Sequence, residues 1–160
     1  MNKIYHDEDA NLESLAGKTI AVIGYGNQGR SQALNLRDSG LQVIVGNAGD
    51  ESHARALEEG FETMGVAAAA RRADVVMVLI PDEVQPAVYR DEIAPGLGAG
   101  DCVSFASGYN IAFELIQPAA VLDIVLVAPR MIGPGVRDRF VEGRGFPSFV
   151  GVHQDASATA

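Results

Sequence analysis

Apolar residues fall in short, unbroken runs separated by amphipathic stretches along most of this chain. Thr19–Gly24, Leu41–Gly46, Asp74–Ile80, Asp101–Ala106 and Ile124–Ala128 are rich in β-branched residues, with a shorter run at Phe61–Met64. Such runs, apolar throughout rather than alternating, predict strands of a parallel sheet covered on both faces. Helical spacing between them predicts helices near Gln28–Ser39, Ser52–Glu59, Val66–Arg72 and Glu83–Glu92, with Gly40 and Gly60 placed as C-terminal caps. Strand and helix alternating at this length predict a doubly wound, mostly parallel α/β sheet in three layers. After Met131 the pattern changes. Gly133, Pro134, Gly135, Gly143 and Gly145 lie among charges, predicting a loop around a short helix, Gly135–Val141, and then one last strand, Phe146–His153. Repeats, low-complexity linkers and heptads are absent from the sequence.

At 160 residues and 48% hydrophobic, the chain reads as one globular domain over 1–160, burying about two-thirds of its surface. The net charge of −9 argues against nucleic acid or an anionic membrane as partner. Cys102 is the only cysteine, so an intrachain disulfide is excluded and a reducing compartment is expected. Its apolar neighbours predict a buried structural thiol. Met1 to Asp9 is polar and acidic, without the apolar core of a signal peptide. The longest apolar run, Val75–Ile80, is too short to span a bilayer. Together these predict a soluble, cytoplasmic protein.

The candidate chemistry begins at residues 18–29, Lys-Thr-Ile-Ala-Val-Ile-Gly-Tyr-Gly-Asn-Gln-Gly. A strand running into Gly24, Gly26 and Gly29 and then into a helix is the order of a dinucleotide-binding, Rossmann-like turn. Gly24 turns the chain, Gly26 removes a side chain where pyrophosphate approaches, and Gly29 lets helix and strand pack closely. Free amides and the helix dipole then favour the phosphates. Arg30, on the first helical turn, reads either as a contact to the cofactor or as a solvated side chain. After the second strand, Asp50 offers a carboxylate that accepts from ribose hydroxyls and repels a 2′-phosphate. Equally, Asp50 or Ser52 reads as the N-cap of the next helix, and His53 and Arg55 lie within reach of a phosphate. Asp82, after the third long strand, reads as the N-cap of a helix starting at Glu83. His6, His53 and His153 lack metal-ligand spacing. Asp7–Asp9 reads as a solvated lead-in, and Arg137, Arg139 and Arg144, interleaved with Asp138 and Glu142, as a surface salt-bridge helix.

Ile4–Ala10, Gly17–Gly26, Gln32–Gly40, Ala73–Met77, Pro81–Pro86, Glu92–Pro95 and Val152–Ala156 together resemble the N-terminal domain of ketol-acid reductoisomerases, from about residue 4 onward. The family converts 2-acetolactate or 2-aceto-2-hydroxybutyrate to dihydroxy acids in branched-chain amino acid biosynthesis, using NAD(H) or NADP(H) and Mg²⁺. The resemblance implies that Tyr25, Gly26, Asn27 and Gln28 contact pyrophosphate beside Gly24 and Gly29. It further implies that Ala48, Asp50, Glu51 and His53 surround the adenosine ribose, and that Pro81, Asp82, Glu83, Val84, Gln85, Gly108 and Gly133 lie along the cofactor. Relatives preferring NADP place arginine and serines where Ala48 and Glu51 stand, so NAD(H) is favoured here. Three departures matter. Ser107 stands where the family has a histidine, and Arg130 where it has a lysine. The chain also stops where a helical domain carrying the Mg²⁺ ligands would begin. The expectation is therefore the dinucleotide-binding domain of a reductoisomerase-like oxidoreductase, incomplete for catalysis as given; the alternative is a dinucleotide-binding or assembly module without that reaction. Asn110 is expected beside the nicotinamide, Tyr109 in packing, and self-association into a homo-oligomer remains open.

Overall fold

The computed structural model describes residues 3–160, so Met1 and Asn2 of the acidic lead-in, and the side chain of Asp7, lie outside the described residues. Seven strands form one sheet: β1 Thr19–Ile23, β2 Gln42–Gly46, β3 Glu62–Met64, β4 Val75–Val78, β5 Cys102–Phe105, β6 Asp123–Pro129 and β7 Ser148–Gln154. Their spatial order is β3-β2-β1-β4-β5-β6-β7, parallel throughout except for the antiparallel β6–β7 pair. The strand order reverses between β1 and β4, and ligands of open α/β sheets bind at the carboxyl edge of that switch point.

Period-two alternation sends each strand's side chains to two different layers. Ala21, Ile23, Val76, Val78, Val103, Phe105 and Ile124 point to one face, where α3 (Val66–Arg72) supplies Ala69 and Ala70 and the segment beyond β4 supplies Tyr89 and Ile93. Val22 and Val45 point to the other, under Ala33 and Leu34 of α1 (Asn27–Asp38) and Ala56 of α2 (Glu51–Glu58). Gly40 and Gly60, with φ of +85° and +84°, follow α1 and α2 as left-handed caps. No helix among the described residues is long and apolar enough to cross a membrane.

Three expectations change in detail. The helix expected over Glu83–Glu92 begins only at Gln85: α4 spans Gln85–Val88, then a π turn covers Tyr89–Ile93 and a 3₁₀ turn Ala94–Gly96. Pro86 and Pro95 each sit in the first turn of their segments, where a missing N–H costs least. A short α5, Tyr109–Ala112, follows β5, and α6 starts at Gly133 rather than Gly135. The expected surface role of Arg137 is also corrected. It joins α6 to α1, donating to Asn35 Oδ1 at 2.9 Å and pairing with Asp38 at 2.5 Å. Arg139 and Arg144 do pair locally with Glu142.

The residues after β7 fold back onto the start of β6. Buried Asp123 accepts from the amides of Ala156 (2.7 Å) and Ser157 (2.9 Å) and from Ser157 Oγ (2.6 Å). The Ser157 hydroxyl and these amides hold the carboxyl below the usual carboxylate range. A depressed folded-state pKa contributes stability above the unfolded value, about 3.9, and that contribution disappears as pH falls through the folded value. Limited proteolysis of residues 155–160 should therefore accelerate below about pH 4, and Asp123→Asn should release the tail at neutral pH. Equal protection of wild type and variant at pH 7 would count against this clamp.

Candidate dinucleotide site

The three glycines of the β1–α1 turn have three different surroundings. Gly24 takes φ +92°, and a Cβ there would meet Ile80 Cγ2 at 2.6 Å. Gly26 is the N-cap of α1, and a Cβ on it would meet nothing within 4 Å. Gly29 lies against the turn itself: its Cβ would stand 1.9 Å from the carbonyl oxygen of Gly24. Tight turn, open approach and close helix–strand packing are thus distributed as the spacing predicts. Among the described residues, no acceptor meets the amides of Tyr25, Gly26, Asn27, Gln28 or Gly29. Unpaired N–H groups thus stand at the positive end of a three-turn helix, an arrangement suited to an anion.

Side chains around the turn are more committed than the motif indicates. Tyr25 is 1% exposed, packs edge-on against Phe61, and donates its hydroxyl to Glu59 at 2.6 Å. Burial, then Glu59, raises its pKa far above the ordinary phenol range. Its hydroxyl is thereby committed to Glu59, while its backbone amide stays unpaired beside Gly26. Arg30 is paired although its side chain is 40% exposed: its guanidinium grips Glu59 through both carboxylate oxygens, at 2.5–3.0 Å. Gln28 donates to the Met131 carbonyl at 2.8 Å and accepts from Gln32, so its amide serves the β6–α6 junction. Asn27 stays exposed beside the open amides. Gly133 is buried against the same turn, where a Cβ would lie 1.9 Å from Asn27 O.

Beyond β2, Asp50 caps α2, as one of its two readings had it. Its Oδ1 accepts from the Ser52 amide (3.0 Å), the His53 amide (3.2 Å) and Ser52 Oγ (2.6 Å). The Ser52 hydroxyl and the His53 amide keep this carboxyl below its ordinary range. Oδ2 has no partner among the described residues, while Ala48 and Glu51 stand exposed beside it. Asn47 braces the loop by donating to Ser52 Oγ. His53 directs Nε2 to Thr63 Oγ1 at 3.2 Å and buries Nδ1, which ties the imidazole to β3.

At the carboxyl ends of β4 and β5 the side chains knit two turns together. Asp82 does not cap a helix as expected. Its carboxylate instead accepts from Gln85 Nε2 (3.1 Å) and Ser107 Oγ (2.9 Å). Buried Asn110 donates to Asp82 O and Gln85 Oε1, both at 2.9 Å, and Gln85 also donates to Ile80 O. Asn110 thus braces the two turns through Nδ2, while its buried Oδ1 has no partner among the described residues. Pro81, Glu83, Val84 and Gly108 form the exposed rim. Tyr109 packs on Phe113 with ring centroids 4.7 Å apart. Arg130, exposed at the end of β6, lays its guanidinium over the Phe149 ring at 5.4 Å and makes no ion pair among the described residues. No hydrogen bond joins Ser107 to Arg130 among the described residues. Cys102 is half-buried, its thiol pushed up to about 11 by burial and then by Asp123.

Residues 14–160 match the model of the acetohydroxy acid isomeroreductase family's NADPH-binding domain. The chain belongs to the ketol-acid reductoisomerase family. Proteins named ketol-acid reductoisomerase (NADP(+)) from Pyrobaculum islandicum and Pyrobaculum neutrophilum are 56% and 58% identical across the whole chain. The chain spans about half the length of these curated relatives, 49% in each case. Among solved structures, an NADH-preferring ketol-acid reductoisomerase from an uncultured archean superposes with a TM-score of 0.96 at 44% identity, over 98% of this chain and 49% of that one. A 3-hydroxyisobutyrate dehydrogenase from Mycobacterium tuberculosis, 19% identical with a TM-score of 0.67, shares the fold alone.

Glu59 is the site residue that sequence reasoning missed. Only the fold brings it to Tyr25 and Arg30, 34 and 29 positions away. Gln85 and Asn110 carried a signal, two amides beside an aspartate, but no sequence rule pairs them.

Proposed function

We propose that this domain holds a nicotinamide dinucleotide for a ketol-acid reductoisomerase, with the diphosphate on the amides at the start of α1. The observation that carries this reading is Gly26, whose missing side chain leaves open space directly at those unpaired N–H groups. Asn27 adds an amide donor at the rim, and the Pro81–Gln85 turn and Gly108 flank the nicotinamide half. When bound, the dinucleotide supplies the hydride for reduction of the isomerised 2-acetolactate or 2-aceto-2-hydroxybutyrate. Arg130, a fixed cation, suits a substrate carboxylate or carbonyl but not proton transfer. Ser107 does not titrate near neutral pH and holds Asp82. No group of three or more His, Cys, Asp or Glu able to hold a metal occurs among the described residues, so no step is assigned to Mg²⁺ on this domain.

The loop after β2 favours NAD(H) over NADP(H). Asp50 Oδ2 is a deprotonated acceptor aimed at no protein donor, with Glu51 beside it, and a 2′-phosphate there meets like charge. Calorimetric titration should give tighter binding of NADH; tighter NADPH binding would overturn the preference. Asp50→Asn keeps an N-cap oxygen but removes the charge. It should shift the NADPH-to-NADH affinity ratio by about tenfold toward NADPH with melting unchanged.

A second reading, a binding module without the reductoisomerase reaction, draws on the engagement of Ser107 with Asp82 in place of a titratable group. Acetolactate-dependent NADH oxidation by the 160-residue chain with Mg²⁺ would exclude it.

A further inference from the structure

The β1–α1 turn has little of its own to hold its shape. Tyr25 stands between Gly24, at φ +92°, and Gly26, and a glycine on either side opens many alternative backbone conformations. The Gly24 amide still bonds to Gly46 O at 2.9 Å, but the amides of Tyr25 and Gly26 meet no acceptor among the described residues. Their direction is fixed instead by one side chain. The Tyr25 ring is buried with Ala33 of α1, Ala56 of α2 and Phe61, and its hydroxyl ends on Glu59 at 2.6 Å. Glu59 is the C-cap of α2, at the opposite end of that helix from Asp50.

Glu59 is itself held from three sides. Arg30 Nε donates to its two carboxylate oxygens at 2.9 and 3.0 Å. Arg37 donates to its carbonyl at 2.6 Å and lies over Phe61, the ring that Tyr25 meets edge-on. Arg30 first, against partial burial, and then Tyr25 keep the carboxyl below its usual range, so it is ionised at neutral pH. A hydroxyl donating to a charged acceptor makes a stronger bond than one between neutral groups.

We propose that Glu59 is a positioning residue for the bound diphosphate, acting through the Tyr25 hydroxyl. The tie turns a stretch flanked by two glycines into donors already aimed, and donors aimed in advance cost no ordering when an anion arrives. The helix that opens on Asp50 thus also sets, through its C-cap, how the diphosphate is met. The inference rests on the cofactor reading and extends it to a residue outside the turn.

Calorimetric titration with NADH and with ADP, on chains shown to be folded by circular dichroism, tests it. Tyr25→Phe deletes only the hydroxyl and should weaken both ligands at least about fivefold. ADP carries the diphosphate without the nicotinamide, so an equal factor for the two ligands puts the effect on the diphosphate. In a Glu59→Ala chain the hydroxyl has lost its acceptor, and Tyr25→Phe should then change affinity no further. Any charge that Arg30 regains is common to the two chains of that comparison and cancels. Unchanged affinity in Tyr25→Phe, even with lowered melting, would overturn the inference, because the tie would then serve the fold alone. So would an equal loss with and without Glu59, which would leave the carboxylate out of the path. A wild-type chain that binds neither ligand would instead remove the cofactor reading, and this inference with it.

Discussion

Gly26→Asp should leave the fold intact while abolishing dinucleotide binding. A Cβ at this position would meet no protein atom within 4 Å, and the backbone (φ −81°, ψ −156°) is open to any L-residue. Aspartate is also a better N-cap than glycine, so melting should hold steady or rise slightly. The new carboxylate, however, takes the amides offered to a diphosphate and adds like charge beside it. Affinity for NADH should fall at least about 100-fold, equivalent to roughly 2.7 kcal/mol. Calorimetry and thermal melting on the same sample check both halves. Retained binding would mean that the phosphates lie elsewhere.

Gly29→Ala should show the opposite balance. Its Cβ would stand 1.9 Å from Gly24 O and 2.9 Å from Gly24 C, both backbone atoms. That clash cannot be relieved by rotating a side chain, so α1 must move off β1 or the turn must open. Overpacking of a core costs about 1–3 kcal/mol, and backbone contacts fall at or beyond the upper end. For a chain of this size a loss of about 3 kcal/mol lowers the melting temperature by roughly 6–12 °C. Gly133→Ala meets Asn27 O at the same 1.9 Å and should destabilise comparably by lifting α6 from α1. A Gly29→Ala protein melting with wild type would show that the turn is looser than drawn.

The layered sheet and the glycine turn were legible in the sequence because both are local. A run such as Thr19–Ile23 is apolar at every position whatever it packs against, and Gly24, Gly26 and Gly29 act within one turn of each other. Asp50 as a cap was legible for the same reason, being two and three residues from the amides it accepts. What spacing could not reveal are partnerships across the fold. Arg30 read equally as a cofactor contact or as a solvated side chain, and neither reading named Glu59, which the C-cap of α2 brings to it. The partner of the Gln28 side chain, Met131 O in the β6–α6 loop, lies 103 positions away. The break in the helix after β4 escaped because Glu83–Glu92 has helical spacing throughout, whereas core positions for both Tyr89 and Ile93 accompany a widened turn.

Gly133 abuts the backbone of Asn27 with no side chain between them. The start of α1 and the helix arriving from the far edge of the sheet consequently move as one mechanical piece. A diphosphate held there, as proposed, would stiffen α6 without any strand having to slide.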